Sequence, residues 1–557
     1  MTDVPDIDEL IVQLAWNRLL AIVEEQAQVL MRTAFSTVVR EAGDLSAGVF
    51  NRRGQMLAQA VTGTPGHVNS MAAAVTKFLA KYPLHTLVSG DVLMTNDPWD
   101  GTGHLNDFTV VTPVYSAGHC VGLFAATSHI ADVGGRGFGP DANDVFEEGI
   151  RVPIGYLFQA GVRNDVLLDL LKANVRDPQV LEGDLYSLTA CNDAGASALL
   201  ECLADLDLVD LESVGDVILE RSRDAMLLEI QALQETSVGY EMTIDGYDDP
   251  VELKGQLRVA GDGIYVTFDG TSKSSSKGIN VPIAYTEAYA SFGVRCIVGN
   301  EIPNNAGSLG VVHVSAPEGS ILNAPPPRAV SARHSIGQML PDVVLGCLDQ
   351  VVANVTPAEG ASCIWNPVFL SSLANSSANL NEDAFVINPI FNGGTGARAD
   401  KDGLSTTAFP SGVRTTSTEV NEATSPLVVW AKEFATNSGG VGARRGGLGQ
   451  TVVVAHRAGH EFIVSKMFDR IDHPARGRHG GGDGQSGRVF ITNGVEELDL
   501  PGKGRDRIPS GYKLIMHTPG GGGSGLAKER LAASVMTDVE AGLVTQASAR
   551  EHYGIDG

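Results

Sequence analysis

Residues 92–137 constrain the fold of this chain more than any other stretch, because they set ionisable side chains among segments that read as strands. The run is VLMTNDPWDGTGHLNDFTVVTPVYSAGHCVGLFAATSHIADVGGRG. Two apolar, β-branched or small-residue runs, 108–115 and 120–126, bracket the turn signal Ser116-Ala117-Gly118 and predict a hairpin. His104 and Asp107 then lie in the loop entering one strand and His129 just past the end of its partner, so all three sit at one end of the hairpin. Imidazole nitrogen and carboxylate oxygen together suit a borderline divalent ion such as Zn²⁺ or Mn²⁺. Histidines beside strands also serve as hydrogen-bonded structural residues, and spacing alone leaves both readings open.

Around this hairpin the N-terminal pattern alternates helix and strand. Apolar residues at helical spacing predict a helix over 8–35, and short strands are expected at 38–42 and 48–51 with Asp44 in the turn between them, where an Asp caps its own backbone. A strand over 56–64 precedes Pro65-Gly66-His67 and a helix over 68–79, and a structural role for His67 ranks first. Residues 166–175 read as helical and 178–233 as almost wholly helical, with a second helix over 217–233. The leucine-rich face of that arm is core or a subunit contact.

From Tyr240 the apolar period changes to two, which predicts an antiparallel meander over 240–244, 251–259 and 263–268. A helix over 282–297, a strand over 311–314, a helix over 333–351 and strands over 385–391, 450–455 and 461–468 follow. The expected fold class is α+β: a metal-binding region over 1–236 with strands and long helices, then a β-rich, glycine-rich region over 237–557.

At 557 residues the chain can bury at least two cores without disulfides, and its six cysteines show no CxxC pair. Lys plus Arg number 40 against 66 Asp plus Glu, and the net charge of −26 repels nucleic acid. No apolar run reaches the roughly eighteen residues of a membrane span, and the acidic N-terminus lacks a secretory pattern, so the cytoplasm is the expected compartment. The 65 glycines exceed the about 39 expected at roughly 7% usage. No GxxxxGK[ST] occurs, and the glycine clusters at 134–137, 439–449 and 520–525 lack a strand-then-helix context. They read as tight turns between strands.

Several separated blocks carry a resemblance. Asn96-Asp97-Pro98, Gly103-His104-Leu105-Asn106-Asp107 and Ser128-His129-Ile130-Ala131-Asp132 resemble the hydantoinase B family, whose members serve ATP-dependent hydantoinases and lactamases, with relatives among 5-oxoprolinases and ketone carboxylases. Glu41-Ala42-Gly43-Asp44, Asn174-Val175-Arg176, Asn305-Ala306-Gly307-Ser308-Leu309, Arg445-Gly446-Gly447-Leu448-Gly449 and Thr518-Pro519-Gly520-Gly521 follow in the family's order.

The resemblance implies one divalent metal, Zn or Mn, held by Asp44, His104, Asp107 and His129; Asp132, just past His129, is placed to orient a ligand imidazole from behind. It also implies that ATP and Mg belong to a larger hydantoinase A-type partner, in a hetero-oligomer such as (αβ)2. The implied substrate is a cyclic amide, whose carbonyl the partner phosphorylates before water opens the ring. Two alternatives stand: a subunit of a ketone carboxylase of the acetone or acetophenone type, and a non-catalytic assembly subunit with a structural metal.

Overall fold

The computed structural model describes residues 8–61, 64–371 and 385–555. Helix α1 (Glu9–Thr33) starts where the Asp8 carboxylate accepts the Leu10 N–H, and it spans nearly the expected helix. The strand expected over 38–42 is instead a single helical turn, α2 (Thr37–Arg40), closed by Arg40 N–H to Ser36 C=O at 3.0 Å. Val38 and Val39 are buried in that turn, as they would be in a strand, so composition did not separate the two. Strands β1 (Leu45–Phe50) and β2 (Met56–Gln59) follow, and residues 62 and 63 of the strand expected over 56–64 lie outside the described residues.

Helix α3 (Pro65–Lys81) opens with Pro65, which lacks the donor that a first turn leaves unused, and with the Thr64 hydroxyl accepting the His67 N–H. His67 is thereby fixed in the first turn. Strands β3 (Val92–Thr95), β4 (Asp107–Ser116) and β5 (His119–His129) follow, and β4 and β5 are the expected hairpin. Then come α4 (Val145–Glu148), β6 (Gly155–Gln159), β7 (Val162–Arg163), α5 (Asp165–Asn174), α6 (Pro178–Asp205) and α7 (Glu212–Gln231).

The seven strands form one antiparallel sheet in the order β2-β1-β5-β4-β3-β6-β7. Alternating residues of its strands serve opposite faces. Val49, Val114 and Phe124 pack with Leu19 and Val23 of α1 and Leu199 and Leu203 of α6, while Phe50, Val111 and Leu123 pack with Met71, Val75 and Phe78 of α3. Leu199, Leu203, Leu211 and Leu219 of the helical arm are thus buried inside the chain, while Leu228 stays exposed.

Strands β8 (Thr236–Ile244), β9 (Val251–Ala260) and β10 (Gly263–Thr267) form the expected meander. Helices α8 (Ile283–Arg295) and α9 (Ala306–Leu309) lead to β11 (Val312–Ser315), which pairs in parallel with β10. The helix expected over 333–351 is two pieces, α10 (His334–Gly337) and α11 (Leu340–Leu348), because Pro341 can only begin a helix. Helices α8 and α11 cover this four-stranded sheet. Tyr285 and Tyr289 of α8 press against Gly66 at the head of α3, where any Cβ would overlap their rings, and this contact joins the two halves at the site.

The rest is a sandwich of two sheets. One holds β12 (Val368–Ser371), β13 (Val386–Ile387), β16 (Phe462–Met467) and β19 (Lys503–Ile508). The other holds β14 (Leu427–Phe434), β15 (Gln450–His456), β17 (Arg488–Thr492), β18 (Glu497–Asp499) and β20 (Lys513–His517). Trp365, Phe369, Phe462, Val452 and Met516 fill the space between them. The strand expected over 385–391 reduces to the two residues of β13 and an isolated Trp365–Phe391 bridge. Helix α12 (Thr418–Ala423) precedes β14, and α13 (Ala532–Glu540) and α14 (Gln546–Tyr553) end the described chain.

The glycine clusters at 439–449 and 520–525 are not turns between strands. They run side by side and bond backbone to backbone, as in Gly440 N–H to Gly521 C=O (2.8 Å), Gly521 N–H to Gly447 C=O (3.0 Å) and Ser524 N–H to Arg444 C=O (2.9 Å). A Cβ at Gly446 or Gly521 would overlap a neighbouring carbonyl, so side chains are excluded by packing rather than by turn geometry. Among the described residues no helix is long and apolar enough to cross a membrane.

Candidate metal centre

The hairpin register sets Asp107 of β4 directly opposite His129 of β5. The loop before β4 is pinned by Asn96, whose amide donates to the carbonyls of Leu105 (2.8 Å) and Ile150 (3.0 Å) and accepts the Val152 N–H (2.7 Å). That loop carries His104 back over the strand end. His104, Asp107 and His129 are all buried and each offers a ligand atom within 4.8 Å of the others, the expected trio brought together.

Asp107 is fully buried yet ionised: burial opposes its charge, but His104, His67 and Arg333 outweigh burial and hold its pKa well below the usual carboxylate range. Its Oδ1 lies 2.6 Å from His104 Nε2 and 3.4 Å from His129 Nδ1. Its Oδ2 accepts from Arg333 Nη2 (2.5 Å) and the Thr102 hydroxyl (2.8 Å) and lies 3.0 Å from His67 Nε2. Arg333 also stacks over the Tyr285 ring at 4.0 Å and donates to the Thr102 carbonyl. Gly103, at φ +104°, leaves no Cβ where Arg333 passes.

His104 Nδ1 faces the Ser331 carbonyl at 3.0 Å. A carbonyl only accepts, so the proton belongs on Nδ1 and Nε2 turns its lone pair toward Asp107. Two acceptors 2.6 Å apart require a proton or a cation between them. Burial and the nearby Arg333 push the His104 pKa down to about 3, so a second proton is not held at neutral pH. His129 Nε2, buried with no hydrogen-bond partner among the described residues, offers a further imidazole donor. The donor set therefore fits a divalent ion.

Asp44 lines the same cavity of about 30 Å³ but stands further out, with Oδ1 3.4 Å from His67 Nδ1. His67, ranked structural from sequence, lies between the two carboxylates: burial lowers its pKa, but Asp107 and Asp44 prevail and it rises above the ordinary value. Tyr285, Arg333, His334 and Asn366, which the sequence pattern does not single out, complete the wall. Phe138 closes another side, with its ring centroid 5.0 Å from that of His129 and 5.8 Å from that of His334. Only His67, beside its helix entrance, carried a local sequence signal.

Asp132 does not orient a ligand imidazole. It accepts from Gly134 N–H (3.1 Å) and pairs with Arg176 at 2.6 Å, because the chain turns away from the strand end through Gly134 and Gly135, both at positive φ. The Ser331 carbonyl takes that orienting role instead.

A seven-stranded antiparallel sheet thus carries, at one hairpin end, a buried His/Asp cluster whose donor atoms could hold a metal ion. The chain belongs to the hydantoinase B/oxoprolinase family, whose profile matches residues 8–527. A Pseudomonas sp. (strain NS671) protein assigned as the B-type chain of a D-/L-hydantoinase is 29% identical, over 100% of this chain and 96% of that one. The 5-oxoprolinase 1 of Arabidopsis thaliana is also 29% identical, but the 91% of this chain that aligns spans only 41% of that protein. Among solved structures, the ATP-dependent caprolactamase from Pseudomonas jessenii shares the fold at a TM-score of 0.89 and 21% identity, covering 99% of this chain and 97% of that chain. A nucleotide-free acetone carboxylase structure superposes at 0.87 with 17% identity, over 100% and 80% of the two chains.

Proposed function

We propose that this chain is the metal-binding subunit of a cytoplasmic, ATP-dependent cyclic-amide hydrolase, acting with a hydantoinase A-type ATP-binding partner in a hetero-oligomer such as (αβ)2. The observation that carries the reading is the convergence of His104, Asp107 and His129 on one buried point beside a cavity. Asp44 is proposed as the fourth ligand, reached from the rim of that cavity. The absence of a phosphate-binding motif from the sequence supports a division of labour in which ATP and Mg sit on the partner.

A bound Zn or Mn ion would supply Lewis-acid polarisation of a carbonyl or a water of lowered pKa. The chain's own residues prepare the place. The Ser331 carbonyl fixes the His104 tautomer, Arg333 and Thr102 hold Asp107 against rotation, and His67 spans Asp107 and Asp44. Phe138, Tyr285 and Tyr289 wall the cavity and limit bulk water.

The test is to co-purify this chain with its partner, measure metal, and screen hydantoin, 5-oxoproline and caprolactam for ATP-dependent ring opening. The expected result is about one divalent ion per chain and turnover of one cyclic amide. ATP-dependent carboxylation of a ketone with no ring opening would replace this reading by the carboxylase one. Turnover by metal-free protein would remove its centre.

A further inference from the structure

The metal cavity, at about 30 Å³, has room for an ion and water but not for an organic ring. A second pocket of about 290 Å³ lies close by, lined by Arg136, Gly137, Gly139, Asp141, Ser465 and Arg505. Its size approaches the lower end of small-molecule sites. The two share a wall: Gly137 and Gly139 line the larger pocket, while the residue between them, Phe138, lines the metal cavity and packs on His104 and His129.

The larger pocket is built to receive negative charge. Arg505 of β19 and Ser465 of β16 are direct cross-strand partners. Arg505 donates from Nη2 to the Arg136 carbonyl (2.8 Å) and makes no ion pair among the described residues. Arg136 makes only a 3.5 Å approach to Glu147 and donates to the Asp141 carbonyl. Ser465 is 1% exposed, and its hydroxyl has no hydrogen-bond partner among the described residues. Asp141, the pocket's one carboxylate, accepts the Tyr247 hydroxyl at 2.7 Å. Burial lowers the Arg505 pKa, and although Asp141 opposes this, Arg176 and Arg136 add to it, as expected where positive charge outweighs its counter-charge.

We propose that this pocket is an oxyanion-binding subsite in which Arg505, Arg136 and the Ser465 hydroxyl hold an anionic group of the molecule whose carbonyl reacts at the metal centre, the molecule reaching past Phe138 from one to the other. The inference rests on the proposed cyclic-amide reading. The anion has two sources of one chemistry: a carboxylate on the ring, or the phosphoryl group placed on the carbonyl by the partner.

The experiment is calorimetric titration of the metal-loaded, full-length chain with inorganic phosphate, 5-oxoproline and 2-pyrrolidone, with metal content measured in parallel. Saturable binding is expected for phosphate or 5-oxoproline and none for the uncharged 2-pyrrolidone. Arg505→Gln should weaken that binding about tenfold or more, as the loss of a charge-assisted hydrogen bond does, with metal content unchanged. Arg505→Lys should recover part of it, and Ser465→Ala should weaken it by a smaller factor. Binding of phosphate alone assigns the phosphoryl source, binding of 5-oxoproline alone the ring carboxylate, and either supports the subsite. Absence of binding by both anions, or binding indifferent to Arg505→Gln, overturns it while leaving the metal assignment intact. Anion binding by a chain that takes up no metal would fail the proposed function and not the subsite.

Discussion

Asp107→Asn in the metal-stripped protein isolates what this carboxylate does for the fold. The substitution keeps the volume and leaves an oxygen to accept from Thr102, but it removes the charge facing Arg333 at 2.5 Å. The Arg333 side chain is 3% exposed, and its remaining partners are the Thr102 carbonyl and the Tyr285 ring, both present before and after the change. The dominant part of the difference is therefore the cost of an uncompensated buried guanidinium, about 3–5 kcal/mol, offset in part where the new amide N–H donates to His104 Nε2. For a cooperative unit of 150–250 residues this corresponds to a melting shift of roughly 6–20 °C. The assay is thermal unfolding of chelator-treated wild type, Asp107→Asn and the double variant Asp107→Asn/Arg333→Met. Removing both charges should recover at least half of the loss, because the neutral Asn and Met leave no buried charge unpaired. A single variant melting within about 2 °C of wild type, or a double variant no better than the single, would refute the argument.

His104→Ala and His129→Ala should each abolish tight metal binding, measured by metal analysis after dialysis, and Asp44→Asn should do the same; an Asp44→Asn protein that keeps both metal and activity would mark a three-residue site. The isolated chain should neither bind nor hydrolyse ATP, checked by calorimetry and phosphate release. Glu148, whose pKa burial raises to about 8, should stabilise the fold fully below its unfolded pKa of about 4.3 and lose that contribution as pH climbs through 8. Glu148→Gln should therefore gain stability relative to wild type across that window, at up to about 1.4 kcal/mol per pH unit, and parallel stability curves would contradict the assignment. Gly521→Ala should sharply lower soluble, folded protein because its Cβ meets the Thr395 carbonyl, whereas Gly511→Ala, with open space around it, should carry only the roughly 1–2 kcal/mol of its left-handed φ.

Local sequence determined the elements whose cause is local. Helix α1 follows from apolar spacing, and the β4–β5 hairpin from two apolar runs about a turn, and that hairpin's register alone brings Asp107 opposite His129. The family motifs added Asp44, which no spacing rule would select. Tertiary structure decided what stands around the cluster. Arg333 lies 226 residues from Asp107 in the chain, and its approach depends on Gly103 lacking a Cβ. Asp132, three residues past His129, was directed to Arg176 by two positive-φ glycines that a reading of charge alone passes over. The glycine clusters carried the same limitation: a missing side chain reads as conformational freedom in one dimension, and only the neighbouring backbone, brought from distant parts of the chain as Glu359 is to Gly522, shows that it serves close packing.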